Sequence, residues 1–334
     1  MNTTTMITAR NLTKSFAAKG GSVSAVRGID LDVAPGELVA FLGPNGAGKS
    51  TTLRMLTTLL QPTSGEARVA GFSVAGDPGD VRRRIGLIGQ KSSASNNQRV
   101  RDELRSQGAF YGLSRRTAHA RADELLDSLE LSSVAMRQVQ SLSGGQRRRL
   151  DIALGLIHDP AVLFLDEPST GLDPHSRANL WQHILDLRTR TGTTIFLTTH
   201  YLDEADQLAE RVMVMDHGEV IADDSATALK HTLAGDSVRF GFADEDDARA
   251  AAALVGGIVE GERVSIASDD GERGVPQLLR QLDASGVHAV SAEYRRPTLD
   301  DVFLALTGRS LRDEGAAHAS PPDAARDDVA APAQ

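Results

Sequence analysis

One stretch limits what this chain can fold into more than any other. Five consecutive apolar residues, Leu38-Val39-Ala40-Phe41-Leu42, run directly into Gly43-Pro44-Asn45-Gly46-Ala47-Gly48-Lys49-Ser50. A short, continuous apolar run suits a parallel strand buried on both faces. Beyond the glycines, Leu53, Leu56, Leu59 and Leu60 recur along one side of a helical pattern. Strand, glycine-rich loop and helix form the context in which G-x-x-x-x-G-K-S/T holds phosphate. Glycines let backbone N–H groups close around phosphate oxygens, and the helix points its positive end at them. In such a loop Lys49 reaches the β- and γ-phosphates and the Ser50 hydroxyl ligates Mg²⁺. Thr51 is placed to bond the α-phosphate. The competing reading is a glycine-rich turn with an incidental lysine, and it leaves the flanking strand and helix without a purpose.

Two further segments carry chemistry. Val162-Leu163-Phe164-Leu165 reads as a second buried strand ending in Asp166-Glu167. Asp166 is placed to hold Mg²⁺ through water, and Glu167 to orient and polarise an attacking water. Alone, such a carboxylate pair could equally be a solvated turn. Leu142-Ser143-Gly144-Gly145-Gln146 lies between these elements, with Leu150, Ala153, Leu154 and Ile157 on one helical face behind it. Ser143 is a good N-cap, so the segment offers a second helix N-terminus to an anion. Its bland alternative is a capped surface helix. The arginine clusters Arg82–Arg84 and Arg147–Arg149 read as solvated faces.

Taken together, Gly43–Thr51, Leu142–Gln146 and Asp166-Glu167 resemble the ATP-binding cassette of ABC transporters. Other cassette marks follow in order: Gln90 resembles the Q-loop glutamine, Ser169-Thr170-Gly171-Leu172-Asp173 the D-loop, and His200 the switch histidine. The resemblance covers roughly residues 5–230. It implies ATP and Mg²⁺ as ligands, with Ser50, Asp166 and Gln90 toward the metal. It also implies that two copies pair head to tail. ATP would then lie between Gly43, Pro44, Asn45, Gly46, Ala47, Gly48, Lys49, Ser50 and Thr51 of one copy and Ser143, Gly144, Gly145 and Gln146 of the other. Asp173 would sit at the shared interface. His200 would contact the γ-phosphate and hold Glu167 and its water, while Gln90 would link the site to a membrane partner. Phe16 resembles the aromatic that stacks on adenine; its alternative is a core phenylalanine. For Gln90 the alternative is a polar residue that merely ends the strand Ile85–Gly89. Val100-Arg101-Asp102-Glu103-Leu104 matches the family's Val/Thr-Arg-Glu-Asn-Leu pattern only loosely.

The implied fold class is α/β: a P-loop NTPase core of the ABC ATPase type with an antiparallel β subdomain, an inserted helical subdomain, and a small C-terminal α/β domain. We place the cassette at residues 5–232, with the helical part at about 91–160 built from Arg101–Tyr111 and Thr117–Leu131. Strands are expected at Met6–Ala9, Ile29–Val33 and Thr193–Thr198, and a hairpin at Val212–Met215 and Glu219–Ala222 around Asp216-His217-Gly218. Residues 235–309 alternate strand and helix signals (Val238–Phe242, Asp246–Val255, Arg263–Ala267, Pro276–Ala284, His288–Tyr294), in a ferredoxin-like manner. Residues 310–334 carry almost no large apolar side chains and read as a disordered tail.

Composition bears on partners. The net charge of −9 argues against a nucleic-acid binder, and the absence of cysteine excludes disulfides and thiolate metal sites. The start of the chain does not read as a signal peptide, and no apolar stretch approaches the roughly 20 residues that span a bilayer. A separate transmembrane permease is therefore expected, with this chain peripheral on the cytoplasmic face of the membrane. Arg295-Arg296-Pro297-Thr298-Leu299-Asp300-Asp301-Val302-Phe303 resembles the C-terminal signature of daunorubicin/doxorubicin-resistance ATP-binding subunits, and Thr298 with Asp301 also makes a capping box. Export of a drug or natural product is the leading expectation. The alternatives are an importer, a lipid or polysaccharide exporter, and a soluble cassette ATPase on ribosomes or DNA. The last is disfavoured by the single cassette and by the absence of sustained heptads in the about 90 residues between Lys49 and Ser143.

Overall fold

In a computed structural model, which describes residues 5–18, 21–267 and 271–308, the chain opens with two long antiparallel strands, β1 (Ile7–Ala18) and β2 (Gly21–Val33). The sequence pattern marked only one end of each. Register shifts between Ala9 and Leu12, at Leu12/Thr13 and at Lys14/Ser15 interrupt the alternation that such a pattern follows. Strand β3 (Leu38–Leu42) is buried at all five positions. Leu38, Ala40 and Leu42 enter one apolar cluster, and Val39 and Phe41 another. Successive side chains of a strand point to opposite faces. A strand that is apolar throughout therefore needs cover on both sides.

The phosphate-type loop leads into α1 (Lys49–Leu56), followed by β4 (Ser64–Val69), β5 (Phe72–Ser73), α2 (Pro78–Arg84) and β6 (Ile85–Ile88). Strands β2-β1-β4-β5 form an antiparallel sheet. Its Ile7, Leu12, Ile29, Leu31 and Val69 cover Val39 and Phe41. The expected helical insertion appears as α3 (Val100–Phe110), one residue earlier than its sequence-marked bounds, α4 (Arg115–Ser128), two to three residues earlier, and α5 (Gly144–Leu156), capped by Ser143 as expected. Its Leu104, Leu125, Leu150 and Leu154 belong to the same apolar cluster as Leu38, Ala40 and Leu42, with α5 packed on β6 and the later helix Leu202–Leu208 on β3.

The remaining core elements are β7 (Val162–Asp166), α6 (Pro174–Thr191), β8 (Thr194–Thr199), α7 (Leu202–Leu208), β9 (Arg211–Asp216) and β10 (Glu219–Asp224). The central sheet runs β10-β9-β3-β8-β7-β6. It is parallel except for β10. His217 and Gly218, with φ of 45° and 88°, make the hairpin turn. Two successive positive φ values give the twist that a two-residue hairpin needs. Because β3, β8, β7 and β6 are parallel neighbours, their carboxyl ends lie side by side. Open α/β sheets gather ligands at that edge.

The chain continues through α8 (Ala226–Leu229), β11 (Ser237–Gly241), α9 (Glu245–Val255), β12 (Ile258–Glu260), β13 (Arg263–Ala267), α10 (Val275–Ala284), β14 (Ser291–Arg295) and α11 (Leu299–Thr307). The antiparallel order β12-β13-β11-β14 and the β-α-β-β-α-β sequence give a ferredoxin-like unit. Strand β12 escaped the sequence reading because all three of its residues are exposed and show no alternation. The last strand starts at Ser291 rather than His288. Helix α11 opens with the Thr298/Asp301 capping box. Its buried Leu299, Val302 and Phe303 join the cluster that covers the central sheet, not the one inside the small sheet. Residues 310–334, read from sequence as a tail, lie outside the described residues.

Candidate active site

The loop after β3 bends where only glycine fits. Gly48 has φ +109°, and a Cβ there would lie 2.5 Å from the Ala25 carbonyl oxygen. From the first residue of α1, Lys49 turns back over the loop. Its Nζ donates to the carbonyl oxygens of Gly43 at 2.6 Å and Pro44 at 2.9 Å. The side chain is buried, and burial pulls its pKa below the usual lysine value despite the nearby Glu167 and Asp166 carboxylates. One cation is thus fixed over the loop by two backbone carbonyl groups.

The end of β7 delivers the two acids to this loop. Asp166 Oδ1 accepts from Ser50 Oγ at 2.9 Å and from Thr198 Oγ1 at 2.6 Å. Glu167 adopts φ +47°, an uncommon conformation for a side-chain-bearing residue. The turn is held by its N–H, which donates to the Thr198 carbonyl oxygen at 3.0 Å. It carries the carboxylate to within 4.0 Å of Lys49 Nζ and 3.3 Å of His200 Nδ1. The His200 contact lacks hydrogen-bond geometry. Burial pushes Glu167 up, but His200, Lys49 and Thr170 outweigh it and hold the group below the ordinary carboxylate range. Glu167 is therefore ionised near neutral pH. Gln90, just past β6, joins Asn45, Gly46, Lys49, Ser50, Thr51 and Glu167 around a cleft of about 220 Å³.

Ser143, Gly144, Gly145 and Gln146 sit elsewhere. Ser143 Oγ accepts from the Gln146 N–H at 3.2 Å, and Gln146 Oε1 accepts from the Ser143 N–H at 3.1 Å, a reciprocal cap on α5. Ser143, Gly145 and Gln146 open into a different cleft of about 180 Å³, shared with Arg149, His175 and Ser176. Asp173 caps α6, accepting from Ser176 N–H at 2.9 Å and Oγ at 2.6 Å. These bonds hold its carboxyl below the ordinary range. Phe16 does not line the phosphate-loop cleft. It is 42% exposed on β1 with Lys14 Nζ 5.3 Å from its ring centroid, which excludes the core reading.

Three residues of this region escaped the sequence reading. Thr198 was seen only as part of a strand, because its partner Asp166 lies 32 residues away. Glu204 is buried and accepts from Ser169 Oγ and from Thr199 Oγ1, the latter at 2.9 Å. Arg177, 3.7 Å from Glu204, lies 4.3 Å over the Tyr201 ring beside His200. Arg148 was expected on a solvated face and is instead 7% exposed. The run of three arginines hid the fact that only its middle member points inward. Arg82–Arg84 are exposed, as expected.

The ABC transporter family profile matches residues 26–170. The chain is 44% identical over 302 residues to the daunorubicin resistance ATP-binding protein DrrA3 of Streptomyces coeruleorubidus, covering 89% of this chain and 95% of that one. It is 33% identical to the linearmycin resistance ATP-binding protein LnrL of Bacillus subtilis, covering 92% and 100%. It is 37% identical to the Nod factor export ATP-binding protein I of Paraburkholderia xenovorans, covering 88% and 95%. Among solved structures, a dimeric ATP-binding cassette in a post-hydrolysis state with ADP and Pi superposes with a TM-score of 0.61 at 27% identity, covering 66% of this chain and 98% of that one. The fold, the order of the motifs along it and these likenesses lead to one assignment: the chain belongs to the ABC transporter family, as an ATP-binding, ATP-hydrolysing subunit.

Proposed function

We propose that this ATPase energises export of a drug or natural product through a separate membrane subunit, working as a head-to-tail pair at the cytoplasmic face of the membrane. The observation that carries the paired arrangement is the separation of the two anion-seeking helix starts. Within one chain the Lys49 loop and the Ser143 segment open into different clefts. Neither cleft is complete alone, and a second copy supplies the missing half. ATP then lies between Gly43–Thr51 of one copy and Ser143–Gln146 of the other, with Asp173 at the junction and Phe16 toward the adenine.

The donor set fits Mg²⁺. Ser50 Oγ and Asp166 Oδ1 are hard oxygens 2.9 Å apart, and Gln90 lines the same cleft. These residues would hold Mg²⁺, which would supply charge neutralisation for the nucleotide's phosphates. Lys49 positions those phosphates, and Glu167 takes the proton from the water that attacks the γ-phosphorus. His200 holds the geometry from the neighbouring strand end.

The surface suited to the membrane partner is a cleft of about 590 Å³ beside Gln90's strand, lined by Leu59, Arg82, Leu87, Phe110, Tyr111 and Leu154. Phe110 is 83% exposed there, an apolar side chain available to a partner. Among the described residues no helix is long and apolar enough to cross a membrane. The drug-resistance names of several relatives support an amphipathic drug as cargo, while the Nod factor export relative supports a second reading with a different cargo. Membrane vesicles containing both subunits decide the matter. Drug accumulation that requires ATP supports the proposal; ATP hydrolysis that no drug stimulates and no drug accompanies overturns the cargo.

A further inference from the structure

Arg148 is the one arginine of its cluster that turns inward, and it touches both flanks of the catalytic cleft. Its Nε donates to the Pro168 carbonyl oxygen at 2.5 Å, and its Nη1 to the Gly89 carbonyl oxygen at 2.7 Å. Pro168 directly follows Glu167, and Gly89 directly precedes Gln90. The guanidinium lies 3.9 Å from Asp151 on the same helix. Asp151 is 3% exposed, and its Oδ1 accepts from Ser92 Oγ at 3.0 Å, Ser93 N–H at 3.0 Å and Ser93 Oγ at 3.3 Å. Both sides of Gln90 are therefore tied to α5. The helix also lies directly on β6, for a Cβ on Gly86 would come within 2.3 Å of the Gly155 carbonyl oxygen. At the other end of α5 stands the Ser143–Gln146 segment, one turn from Arg148.

We propose that Arg148 is a positioning residue that sets Gln90 and Glu167 for hydrolysis from the helix whose start engages the nucleotide of the second copy. This rests on the paired-site reading above. A guanidinium holds two carbonyl groups with a rigid planar fork, whereas an ammonium is a point charge on a flexible stem and fixes no such plane. When α5 is drawn toward the partner's phosphates, Arg148 carries the Gly89 and Pro168 backbones with it and Asp151 carries Ser92 and Ser93. Each copy's catalytic groups are then set only when its helix start is engaged. Arg148 bonds the Gly89 and Pro168 backbones and does not line the Lys49 cleft, so its loss acts on turnover and spares binding.

The test uses R148K, which keeps the charge opposite Asp151 but loses the planar fork that fixes both carbonyls. A second variant, R148M/D151N, removes both charges and leaves no lone ion in the interior. ATP affinity is read by fluorescent-nucleotide titration and turnover by steady-state ATPase assay in the full-length chain. Both variants are expected to bind ATP within about 3-fold of wild type, keep KM within about 3-fold and lose about 30- to 100-fold in kcat, the scale of a misplacement near 1 Å. Combined with E167Q, each is expected still to pair on ATP addition. Should R148K fail to fold, R148M/D151N decides alone. Turnover near wild type, or loss of affinity in parallel with kcat, overturns the proposal. A wild-type chain that binds ATP without ever pairing would instead overturn the paired-site reading.

Discussion

Lys49 spends two hydrogen bonds on its own loop, to the carbonyl groups of Gly43 and Pro44, and sits among groups of opposite charge. Lys49→Ala removes the cation proposed to meet the β- and γ-phosphates. A charge-assisted bond contributes about 3 kcal/mol at most, so ATP affinity should fall about 100-fold in a fluorescent-nucleotide titration; an unchanged affinity would remove the loop from the site. The same lysine gives a pH dependence with a definite sign. Burial lowers its pKa in the free chain, and bound phosphate favours its charged form. ATP affinity should therefore begin to weaken, as pH rises, before 10.5, the ordinary lysine value. A titration series that stays flat up to that pH contradicts the assignment. Glu167 is held ionised by His200, Lys49 and Thr170 against the effect of burial. Glu167→Gln keeps the shape and loses the base. Turnover should stop, ATP should still bind, and size-exclusion chromatography with ATP and Mg²⁺ should show a dimer; wild-type turnover by this variant would exclude Glu167 as the base.

Helix α5 shows how one element serves both stability and chemistry. Its Ser143–Gln146 cap is a local sequence signal, and a Ser→Ala change there costs about 1 kcal/mol of helix stability. Ser143→Arg does more, since it fills the helix start that would face the partner's phosphates. Monomeric ATP binding should be retained and hydrolysis lost, as measured by titration and phosphate release on one preparation. A parallel fall in both would place the segment in its own chain's site. What could be read in advance on this helix was whatever repeats locally: the cap, the apolar face at Leu150 and Leu154, and the glycine pair. The same holds for β3, whose five apolar residues signalled a strand covered on both sides, and for the Asp216-His217-Gly218 hairpin. Arg148 was unreadable because its partners, Gly89 and Pro168, lie 59 and 20 residues away and are backbone atoms without a side-chain signature. Thr198 and Glu204 escaped because their side-chain partners Asp166 and Ser169 lie 32 and 35 residues away. Strand β12 escaped because an exposed edge strand imposes no alternation on its residues.

At the scale of the whole molecule, the proposed export joins ATP chemistry to membrane work through surfaces, and no described helix is long and apolar enough to cross a membrane. The cleft beside β6 carries exposed apolar Phe110 and Leu59 next to the strand that ends at Gln90. Pairing of two copies would move this cleft as part of a rigid body, and a partner seated in it would move too. At the far end, α11 buries Leu299, Val302 and Phe303 against the cluster that supports the central sheet. This anchors the small ferredoxin-like unit to the moving body. The net charge of −9 gives the chain no attraction to anionic lipid. Membrane association should therefore depend on the permease subunit alone. In cells expressing this chain without that subunit, fractionation should leave it in the supernatant. Co-expression should move it to the membrane pellet, and Phe110→Asp should return it to the supernatant without changing ATP binding by the purified chain. Drug efflux in the co-expressing strain should vanish with Glu167→Gln while the pellet fraction stays constant, because docking and hydrolysis use different surfaces. Firm pelleting without the permease, or efflux untouched by Glu167→Gln, would break the link between this ATPase and transport.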